Sequence, residues 1–413
     1  MSKLEKLIQQ YCPDGVEYVR LGDVMSIQRG ASPRPIQNYL TDDEYGIPWI
    51  KIGDVSIESK YITSTKERVT KEGAAKSRFL KRGSFILSNS MSFGRPYILE
   101  IDGCIHDGWI SMCDFEKHLL PDFLYYLLRS SVVQDFWISK ANSGGAVTNL
   151  NSDIVRSTLI PVPPLPVQEE IVRVLDTFTE LQAELQAELQ KRKQQYNFYL
   201  DNLLNFKNIN RGGEAEVRWM KLKNVCMKTS NIKWKSTTGQ YRYIDLSSVD
   251  IQTHSIISTI EIDKMSAPSR AQQIVQEDDV IFATTRPTQM RACIIPTEYN
   301  GDICSTGYCI LRADRNILLP KFLFFSMTTS TFKIYLSNNL TLGNYPSISN
   351  SALMGYEIPV PPIAEQQKIV SILDRFDTLT NDLTSGLPAE MEKRRQQYEF
   401  YRDKLLTFKR KEA

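Results

Sequence analysis

The spacing of apolar side chains predicts a long coiled-coil helix in the first half of the chain. Two sets of mostly apolar residues each recur every seven positions. The first set is Ile171, Phe178, Leu185, Arg192, Tyr199 and Phe206, and the second is Leu175, Gln182, Leu189, Tyr196 and Leu203. The series alternate by four and three residues, as the seam of a coiled coil does. Residues 167–206 contain neither Gly nor Pro, so the pattern predicts one uninterrupted helix of about forty residues, roughly 60 Å long.

This helical stretch and the Pro-rich segment before it occur twice. Residues 160–181 and 358–379 are identical at 12 of 22 positions, and residues 191–207 and 393–409 at 12 of 17. Such self-similarity marks an internal repeat. The prolines predict an extended lead-in to each helix. The second copy has four extra residues around Gly386–Pro388, and an insertion of four shifts the seam and predicts a kink or short break there.

Two such helices in one chain have two ways to bury their apolar seams. They can pair with each other in antiparallel fashion, or each can meet its copy in a second molecule. The presence of both helices in a single chain favours the antiparallel pair, and homodimerisation remains the alternative.

Short apolar runs predict strands outside the repeated stretches. In residues 17–159 they are Trp49–Gly53, Ser84–Ser88, Gly103–His106 and Trp109–Met112. Helices are predicted over residues 1–12 and after Pro121. Residues 217–357 repeat this order in weaker form. The predicted fold class is therefore α+β, with two α/β domains in an internal pseudo-repeat, separated and held by two long helices that form an antiparallel coiled coil.

These patterns divide the chain into five segments. Their predicted bounds are 1–159 for the first domain, 160–207 for the first lead-in and helix, 208–216 for a linker, 217–357 for the second domain, and 358–409 for the second lead-in and helix. The linker is polar and contains Gly212 and Gly213. The helices are close copies while the domains share only a pattern, which indicates a constant frame presenting two different surfaces.

Composition adds few constraints. The 50 basic and 48 acidic residues give a net charge of +2, so charge alone does not indicate nucleic acid. Seven scattered cysteines without a CxxC pair favour a reducing cytoplasm over a disulfide framework. We find no leader pattern and no apolar run near eighteen residues, so we expect a cytoplasmic protein without a membrane partner.

The sequence offers little catalytic chemistry. It has no GxxxxGK[ST] phosphate-binding loop, and only three histidines. Asp54, Glu58 and Lys60 resemble a nuclease cluster, but such combinations are common in charged loops. Cys104 and His106, with Cys113, have the wrong spacing for zinc, so we expect no metal site.

The arrangement of repeats resembles the specificity subunit of type I restriction–modification systems. The residues that carry the resemblance are the opening Cys12-Pro13-Asp14-Gly15-Val16-Glu17-Tyr18, the helical motifs Lys191–Tyr196 and Lys393–Tyr398, and the tails Tyr199–Leu204 and Tyr401–Leu406. The resemblance covers essentially the whole chain. The insertion near Gly386 is the one departure from the family pattern, and it concerns the straightness of the second helix.

The resemblance implies a division of labour. Each variable domain would be a target recognition domain that reads one half of a bipartite, asymmetric sequence in double-stranded DNA. The helices would set the distance between the half-sites and dock methyltransferase subunits, two of them. The chain itself would be non-catalytic and bind no cofactor. S-adenosylmethionine would belong to the methyltransferase subunits, and ATP and Mg to a restriction and translocation subunit, a further implied partner.

If the resemblance holds, DNA contacts come from loops, and three loops per domain have suitable side chains. In chain order they are Gln28–Arg34, Asn89–Arg95 and Lys140–Asn149 in the first domain, and Lys228–Lys235, Thr284–Arg291 and Asn338–Tyr345 in the second. Arg suits guanine edges, Asn and Gln suit adenine, and Ser, Thr and Lys suit phosphates. The alternative is that these loops are polar only because they are solvated. Arg34 and Arg286 are the preferred base-reading residues. The full candidate set is Arg29, Ser32, Arg34, Asn89, Ser90, Arg95, Lys140, Asn142, Ser143, Thr148 and Asn149 in the first domain, and Lys228, Asn231, Lys233, Lys235, Thr284, Arg286, Gln289, Arg291, Asn338, Asn339, Thr341, Asn344 and Tyr345 in the second.

Each repeated helix carries a short run of basic residues, here called a basic step, and the two basic steps are candidate partner-docking surfaces. The alternative interpretation is the solvated face of a helix. The residues concerned are Lys191, Arg192, Lys193 and Tyr196, and Lys393, Arg394, Arg395 and Tyr398.

Two other classes of function remain open at this point. The chain could be a coiled-coil adaptor that joins two protein-binding domains and has no role on DNA. A nuclease acting alone is a more distant possibility. Sequence-selective, salt-sensitive binding to duplex DNA would distinguish the DNA-reading subunit from both.

Overall fold

The chain folds into two compact units. The computed structural model describes residues 2–56, 59–89, 93–141, 149–206, 217–341, 343, 345–382 and 385–412, so the predicted linker lies outside the described residues. Unit 1 contains Met1–Ala183 and Lys393–Ala413, and unit 2 contains Glu184–Glu392. Each unit thus combines one variable domain with the first part of the helix that follows it and the last part of the helix from the other repeat.

Unit 1 is built from short strands and short helices. Its helices are α1 (Lys3–Tyr11), α2 (Leu21–Val24), α3 (Lys71–Ala75), α4 (Pro121–Leu128), α5 (Ser131–Ala141), α6 (Ser152–Ser157) and the start of α7 (Leu165–Leu204). Its strands are β1 (Tyr18–Arg20), β2 (Ser26–Arg29), β3 (Leu40–Thr41), β4 (Ile47–Ile50), β5 (Tyr61–Ile62), β6 (Glu67–Val69), β7 (Arg78–Leu80), β8 (Phe85–Ser88), β9 (Pro96–Leu99), β10 (Gly103–Ile105), β11 (Trp109–Cys113) and β12 (Leu159–Pro161).

Unit 2 follows the same plan. Its strands are β13 (Arg218–Lys221), β14 (Cys226–Met227), β15 (Ser230–Asn231), β16 (Tyr241–Ile244), β17 (Ile260–Ile262), β18 (Ala271–Ile274), β19 (Val280–Ala283), β20 (Ala292–Ile294), β21 (Ile303–Ser305), β22 (Tyr308–Ala313) and β23 (Glu357–Val360). Its helices are α8 (Leu222–Val225), α9 (Pro320–Ser326), α10 (Ser330–Asn338), α11 (Asn350–Met354), α12 (Ile363–Asn381) and the start of α13 (Leu387–Leu405).

Each variable domain contains a sheet that is buried on both faces. In unit 1 the strand order is β2-β11-β8-β9-β5, and in unit 2 it is β14-β22-β19-β20. Side chains alternate between faces along a strand. In β8, Phe85 and Leu87 therefore join the core beside the helices, while Ile86 joins the core beside a second sheet. In β19, Phe282 and Ile281 divide in the same way.

A second, five-stranded sheet packs on the outer face in each domain. Its order is β3-β6-β4-β10-β7 in unit 1 and β15-β18-β21-β16-β17 in unit 2. Both contain one parallel pair, β4 with β10 and β16 with β21. Four strands follow the same order in both sheets, β6-β4-β10-β7 and β17-β16-β21-β18, while the fifth strand, β3 or β15, lies at opposite edges. The weak sequence repeat of the two domains therefore corresponds to a shared four-stranded arrangement.

A buried glutamine fixes the start of each long helix. The Gln168 amide nitrogen donates to the carbonyls of His118 and Pro163 at 2.9 and 2.8 Å, and its oxygen accepts from the Leu120 amide at 2.9 Å. Gln366 makes the matching three bonds in unit 2, at 2.8, 2.8 and 2.9 Å. Both side chains are fully buried. Each helix is therefore anchored to the loop before α4 or α9.

The two repeats pair with each other inside each unit. In unit 1, Phe178 of α7 lies 6.5 Å from Tyr398 and 5.6 Å from Tyr401 of α13, ring centre to ring centre. In unit 2, Phe376 of α12 lies 6.4 Å from Tyr196 and 5.2 Å from Tyr199 of α7. These pairings are intramolecular.

The direction of the pairing follows from the residue numbers. As α7 advances from residue 178 to residue 199, its partners fall from residue 401 to residue 376, as antiparallel pairing requires. The predicted α+β class with an antiparallel helix pair is confirmed. Of the described helices, none is long and apolar enough to cross a membrane.

The predicted break in the second repeat is also present. The helix α12 ends at Asn381 and α13 begins at Leu387, whereas α7 runs for 40 residues without interruption. A side chain at Gly386 would collide with the Thr378 carbonyl oxygen, so glycine suits this close approach. The four-residue insertion is therefore absorbed by ending one helix and starting another.

Candidate nucleic-acid interface

Two of the predicted loops in the first domain meet at Asp107. Its carboxylate accepts from the Ser32 hydroxyl at 2.9 Å and forms an ion pair with Arg34 at 3.2 Å. Its backbone carbonyl accepts from the Arg29 guanidinium at 3.0 Å and from the Asn89 amide at 3.2 Å. Four of the predicted residues therefore surround one acidic residue on the turn between β10 and β11.

The electrostatics of Asp107 favour its charged form. Burial acts against ionisation, but the Ser32 hydrogen bond, together with His106 and Arg34, outweighs it and holds the carboxyl pKa below its ordinary value. The Nδ1 atom of His106 accepts from the Gly108 amide at 2.9 Å, and its Nε2 atom lies 3.0 Å from Asp107.

The third loop of the first domain joins the same place. The Leu150 amide donates to the Asn89 carbonyl at 2.8 Å. A surface cavity of about 780 Å³ is lined by Arg29, Asn89, Asp107 and Asn149, among others. Side chains predicted from three separate stretches of sequence therefore line one recess.

The remaining candidates of the first domain have other positions. The Arg95 side chain interacts with Tyr97. Lys140 is exposed near the end of α5, with its ammonium 5.9 Å from the Phe136 ring. The candidates outside the described residues are Ser90, Asn142, Ser143 and Thr148.

Two predicted loops of the second domain also meet. The Arg286 amide donates to the Pro346 carbonyl at 2.7 Å, and the Arg286 guanidinium carbon lies 4.9 Å from the Tyr345 ring centre. Ser347 bridges both Thr285 and Thr341. The exposed candidates at this place are Arg286, Gln289, Thr341 and Tyr345, with Asn344 outside the described residues.

Some candidates of the second domain use their side chains for structure. The buried Thr284 hydroxyl donates to the Gly307 carbonyl at 3.0 Å. The Arg291 guanidinium donates to the Leu246 carbonyl at 2.7 Å and also to Val249. Both side chains hold the loop in place. We correct the assignment of the buried Thr284 from DNA contact to loop support, while DNA contact by the half-buried Arg291 stays a prediction.

The first loop of the second domain is supported by a different sheet. The Ile232 amide donates to the Gln272 carbonyl at 2.8 Å, and the Trp234 indole donates to the Ala271 carbonyl at 2.7 Å. These bonds tie the loop to β18, and no contact found in the described residues joins it to Arg286 or Tyr345. The exposed candidates on it are Lys228, Asn231, Lys233 and Lys235, while Asn338 and Asn339 are exposed at the end of α10.

The two loop clusters share one backbone scaffold. The Asn89 amide donates to the Gly108 carbonyl at 3.0 Å, and the Thr284 amide donates to the Gly307 carbonyl at 2.9 Å. The carbonyls of Asn89 and Thr284 then accept from Leu150 and Ile348, at 2.8 and 2.9 Å. Equivalent backbone positions therefore carry different side chains in the two domains.

Sequence reasoning missed Asp107, which organises the first cluster. It lies in the turn His106-Asp107-Gly108 between two apolar strands, and a short polar turn flanked by strands was the available signal. Of the alternative nuclease residues Asp54, Glu58 and Lys60, Glu58 lies outside the described residues. Asp54 accepts from Thr65 at 2.9 Å, while Lys60 pairs with Asp122. Across the described ranges, no group of His, Cys, Asp or Glu is arranged to hold a metal ion.

The helical docking candidates divide into two kinds. Tyr398 is 6% exposed and packs on Phe178, and Tyr196 packs on Phe376, so both tyrosines belong to the helix pair. Burial of Tyr398 is incompatible with its predicted role as a surface contact. The basic residues remain accessible: Lys191, Lys193, Lys393, Arg394 and Arg395 are exposed, and Arg192 is half-buried beside Glu188.

Comparisons with known proteins agree with this architecture. The family model described as type I restriction modification DNA specificity domain matches residues 13–194 and 215–393. The specificity subunit of the type I restriction enzyme EcoR124I/EcoR124II from Escherichia coli is 32% identical over 332 residues, 74% of each chain. The EcoprrI specificity subunit, also from Escherichia coli, is 26% identical over 406 residues, 93% of this chain and 92% of that protein.

Solved structures share the fold. One chain, from work on complex assembly and conformational transition of the type I R-M system, superposes with a TM-score of 0.68 at 18% identity, covering 96% of this chain and 98% of its own. The HsdS subunit from Thermoanaerobacter tengcongensis gives 0.51 at 18% identity, covering 96% of each. The resemblance noted in the sequence is confirmed: the chain belongs to the family of type I restriction–modification DNA specificity subunits.

Proposed function

We infer that this chain is the DNA-reading subunit of a type I restriction–modification enzyme. The observation that carries this inference is the family match over both variable domains. Each domain reads one half of a bipartite target. The alternative of a coiled-coil adaptor without a role on DNA has no support from these matches.

The loop clusters explain why the two half-sites differ. Both clusters are built on equivalent backbone hydrogen bonds around Asn89 and Thr284. One presents Arg29 and Arg34 around Asp107, and the other presents Arg286 over Tyr345. Since base identity is distinguished by the donors and acceptors offered to it, different side chains on equivalent supports select different bases, and the target is asymmetric.

The partner subunits dock on the two helical surfaces that the repeat duplicates. Phe198 and Phe400 occupy equivalent positions seven residues after Lys191 and Lys393, and they are 64% and 62% exposed. Residues seven apart lie on the same face of a helix. Each unit therefore offers one exposed aromatic ring beside a basic step. Two equivalent surfaces fit two copies of one partner, a methyltransferase subunit.

The chemical steps belong to the partners. Non-catalytic recognition by this chain leaves S-adenosylmethionine binding and adenine methylation to the methyltransferase subunits. ATP and Mg serve a restriction subunit where one is present. This chain contributes the choice of sequence and the placement of its partners.

Mapping of adenine methylation across host DNA tests the function. The comparison is between cells with this gene, cells without it, and cells in which the deletion is complemented. Loss of one bipartite, asymmetric motif on deletion, with return on complementation, is the expected result. An unchanged methylation pattern, together with failure to co-purify with a methyltransferase, would contradict the function.

Paired variants test the docking surfaces. Reversal of charge at Lys191 and Lys193, or replacement Phe198→Ala, should lower the occupancy of one of the two methyltransferase positions and leave the other occupied. The same changes at Lys393, Arg395 and Phe400 should remove the other partner. Native mass spectrometry counts the subunits, and unchanged occupancy in all variants would exclude these surfaces.

A further inference from the structure

Arg286 and Tyr345 form an exposed pair at the end of the buried sheet of unit 2. The guanidinium lies over the tyrosine ring, which is 66% exposed, at 4.9 Å from its centre. This cation–π contact involves the charge of the guanidinium and no hydrogen bond, and no hydrogen bond of the Arg286 side chain is found among the described residues, so its N–H groups are available to a partner. In the part of the chain that the structure describes, no carboxylate pairs with Arg286.

The backbone of Arg286 is held in an uncommon conformation. Its φ is 50°, in the left-handed region that residues with a side chain rarely occupy. The adjacent bonds maintain it: the Arg286 amide donates to Pro346, Thr284 to Gly307, and Arg291 to Leu246. Such conformations persist where the surroundings determine them, and they cluster at ligand-binding sites. The loop therefore presents one particular side chain in one particular direction.

Two arginines of the first loop cluster both contact Asp107. Arg34 forms an ion pair with Asp107, and Arg29 donates to the carbonyl of the same residue. Each of these two guanidinium groups therefore already commits one N–H donor to Asp107 before any partner arrives. Arg286 of the second loop cluster differs in that, among the described residues, its guanidinium contacts an aromatic ring and no carboxylate.

We propose that Arg286 reads a guanine in the half-site of the second domain, with Tyr345 holding the guanidinium in the plane of the base. The two N–H groups at the guanidinium edge donate to O6 and N7 of guanine in the major groove, an arrangement that distinguishes guanine from other bases. A side chain fixed beforehand loses less conformational entropy on binding. This proposal rests on the proposed function and names the chemistry of one position in its target.

Variants of the full complex with its methyltransferase subunits test the proposal. Arg286→Gly removes the guanidinium and suits the left-handed backbone, so the loop keeps its fold. Arg286→Lys keeps the charge and loses the planar fork. Tyr345→Leu removes the ring, and Tyr345→Phe retains it. Methylation rates are measured on duplexes in which each guanine of the second half-site is replaced in turn.

One guanine position should respond specifically. In Arg286→Gly, discrimination at that position falls about 5- to 150-fold, the range of a lost bidentate contact, while the first half-site is read as before. In Arg286→Lys and Tyr345→Leu the loss of discrimination is smaller than in Arg286→Gly, and Tyr345→Phe discriminates as the wild type does. Arg315→Ala is the matched control, because Arg315 pairs with Asp278 before β19, at the opposite end of that strand from Arg286.

Two results would overturn the proposal. Unchanged discrimination at every guanine in Arg286→Gly and Arg286→Lys is the first. A uniform loss of affinity across sequences, with a salt dependence shallower by about one ion, is the second, because it identifies a phosphate contact. Failure of the underlying function is distinguishable, since the wild-type complex would then methylate no bipartite motif. If Arg286→Gly does not assemble, Arg286→Lys and Tyr345→Leu decide the matter.

Discussion

The two halves of this protein are much more alike in their frame, meaning the repeated helices and the glutamines that anchor them, than in the loops of their variable domains. Gln168 and Gln366 make the same three hydrogen bonds to within 0.1 Å, in helices that are near copies. Asn89 and Thr284 also occupy equivalent backbone positions. The side-chain amide of Asn89 nevertheless reaches into a polar recess, whereas the hydroxyl of Thr284 is buried. Specificity can thus vary without disturbing these shared supports, because they are made by the backbone amides and carbonyls of Asn89 and Thr284 and do not depend on which side chain stands there.

The largest effects should come from the frame, and they should be equal in the two units. Replacement Gln168→Ala or Gln366→Ala leaves a buried backbone amide and two carbonyls without partners and opens a cavity. Each change should cost about 3 kcal/mol of unfolding free energy. Denaturant unfolding of the full chain measures this, with the exposed Gln194→Ala as a control that should change little. A cost in one unit and none in the other would show that the frame is not equivalent.

The aromatic contacts of the helix pair should give the next largest effect. Phe178→Ala and Phe376→Ala each remove two ring contacts. Both rings are half-buried, so we expect a loss of about 2 kcal/mol, less than for a fully buried phenylalanine. Thermal unfolding would measure it, and Phe198→Ala, which is exposed, should leave the melting temperature unchanged. Equal stability of Phe178→Ala and wild type would argue against the pairing.

The frame could be predicted from sequence because its signals are local. The heptad series, the absence of Gly and Pro, and the insertion at Gly386–Pro388 each act through neighbouring residues. The helix α7 therefore begins and ends within a few residues of the prediction. The assignment of Tyr398 to a docking surface was wrong although Tyr196, its equivalent, was already in the predicted seam. Periodicity was the better guide there than composition.

The loop clusters could be predicted only in part. Polar composition identified Arg286 and Tyr345, but 58 residues of chain separate them from each other, and nothing local indicates that their side chains meet. Asp107 was missed because its role depends on Ser32 and Arg34, which a strand pairing brings to it. Contacts set by sheet register are invisible to composition, which explains why a buried support such as Thr284 was taken for a surface residue.

Low pH should reduce the stability contributed by the start of the first long helix and not that contributed by the start of the second. Glu170 is 3% exposed and pairs with Arg173 and Lys3, and these partners lower its pKa from an ordinary 4.5 to about 2. A lowered pKa adds stability above pH 4.5 that is lost as the pH falls from 4.5 toward 2. The partners are exposed, so we expect about 1 kcal/mol.

The corresponding position in the second repeat is Lys368, which has no such carboxylate to protonate. The stability gap between wild type and Glu170→Gln should therefore be present at pH 6 and close by pH 2. Lys368→Gln is the matched control, and its gap from wild type should not show this closing. A pH-independent gap for Glu170→Gln would contradict the assigned pKa shift.

The smallest effect on stability should come from Asp107, where the two loop clusters differ most. The replacement Asp107→Asn keeps an acceptor for Ser32 and releases Arg34, which is exposed, so the change in unfolding free energy should be about 0.5 kcal/mol. Removal of an acidic group and release of a cation should strengthen duplex binding by the complex, with a salt dependence steeper by about one ion. The matched comparison is Asp153→Asn, which removes one acidic group from the same cavity and releases Arg156. An equal gain in both variants would identify a general charge effect, and a larger gain in Asp107→Asn would identify the release of Arg34. If Asp107→Asn instead weakened binding to one base pair of the first half-site alone, Asp107 itself would be the base-reading group, accepting from a cytosine amino group.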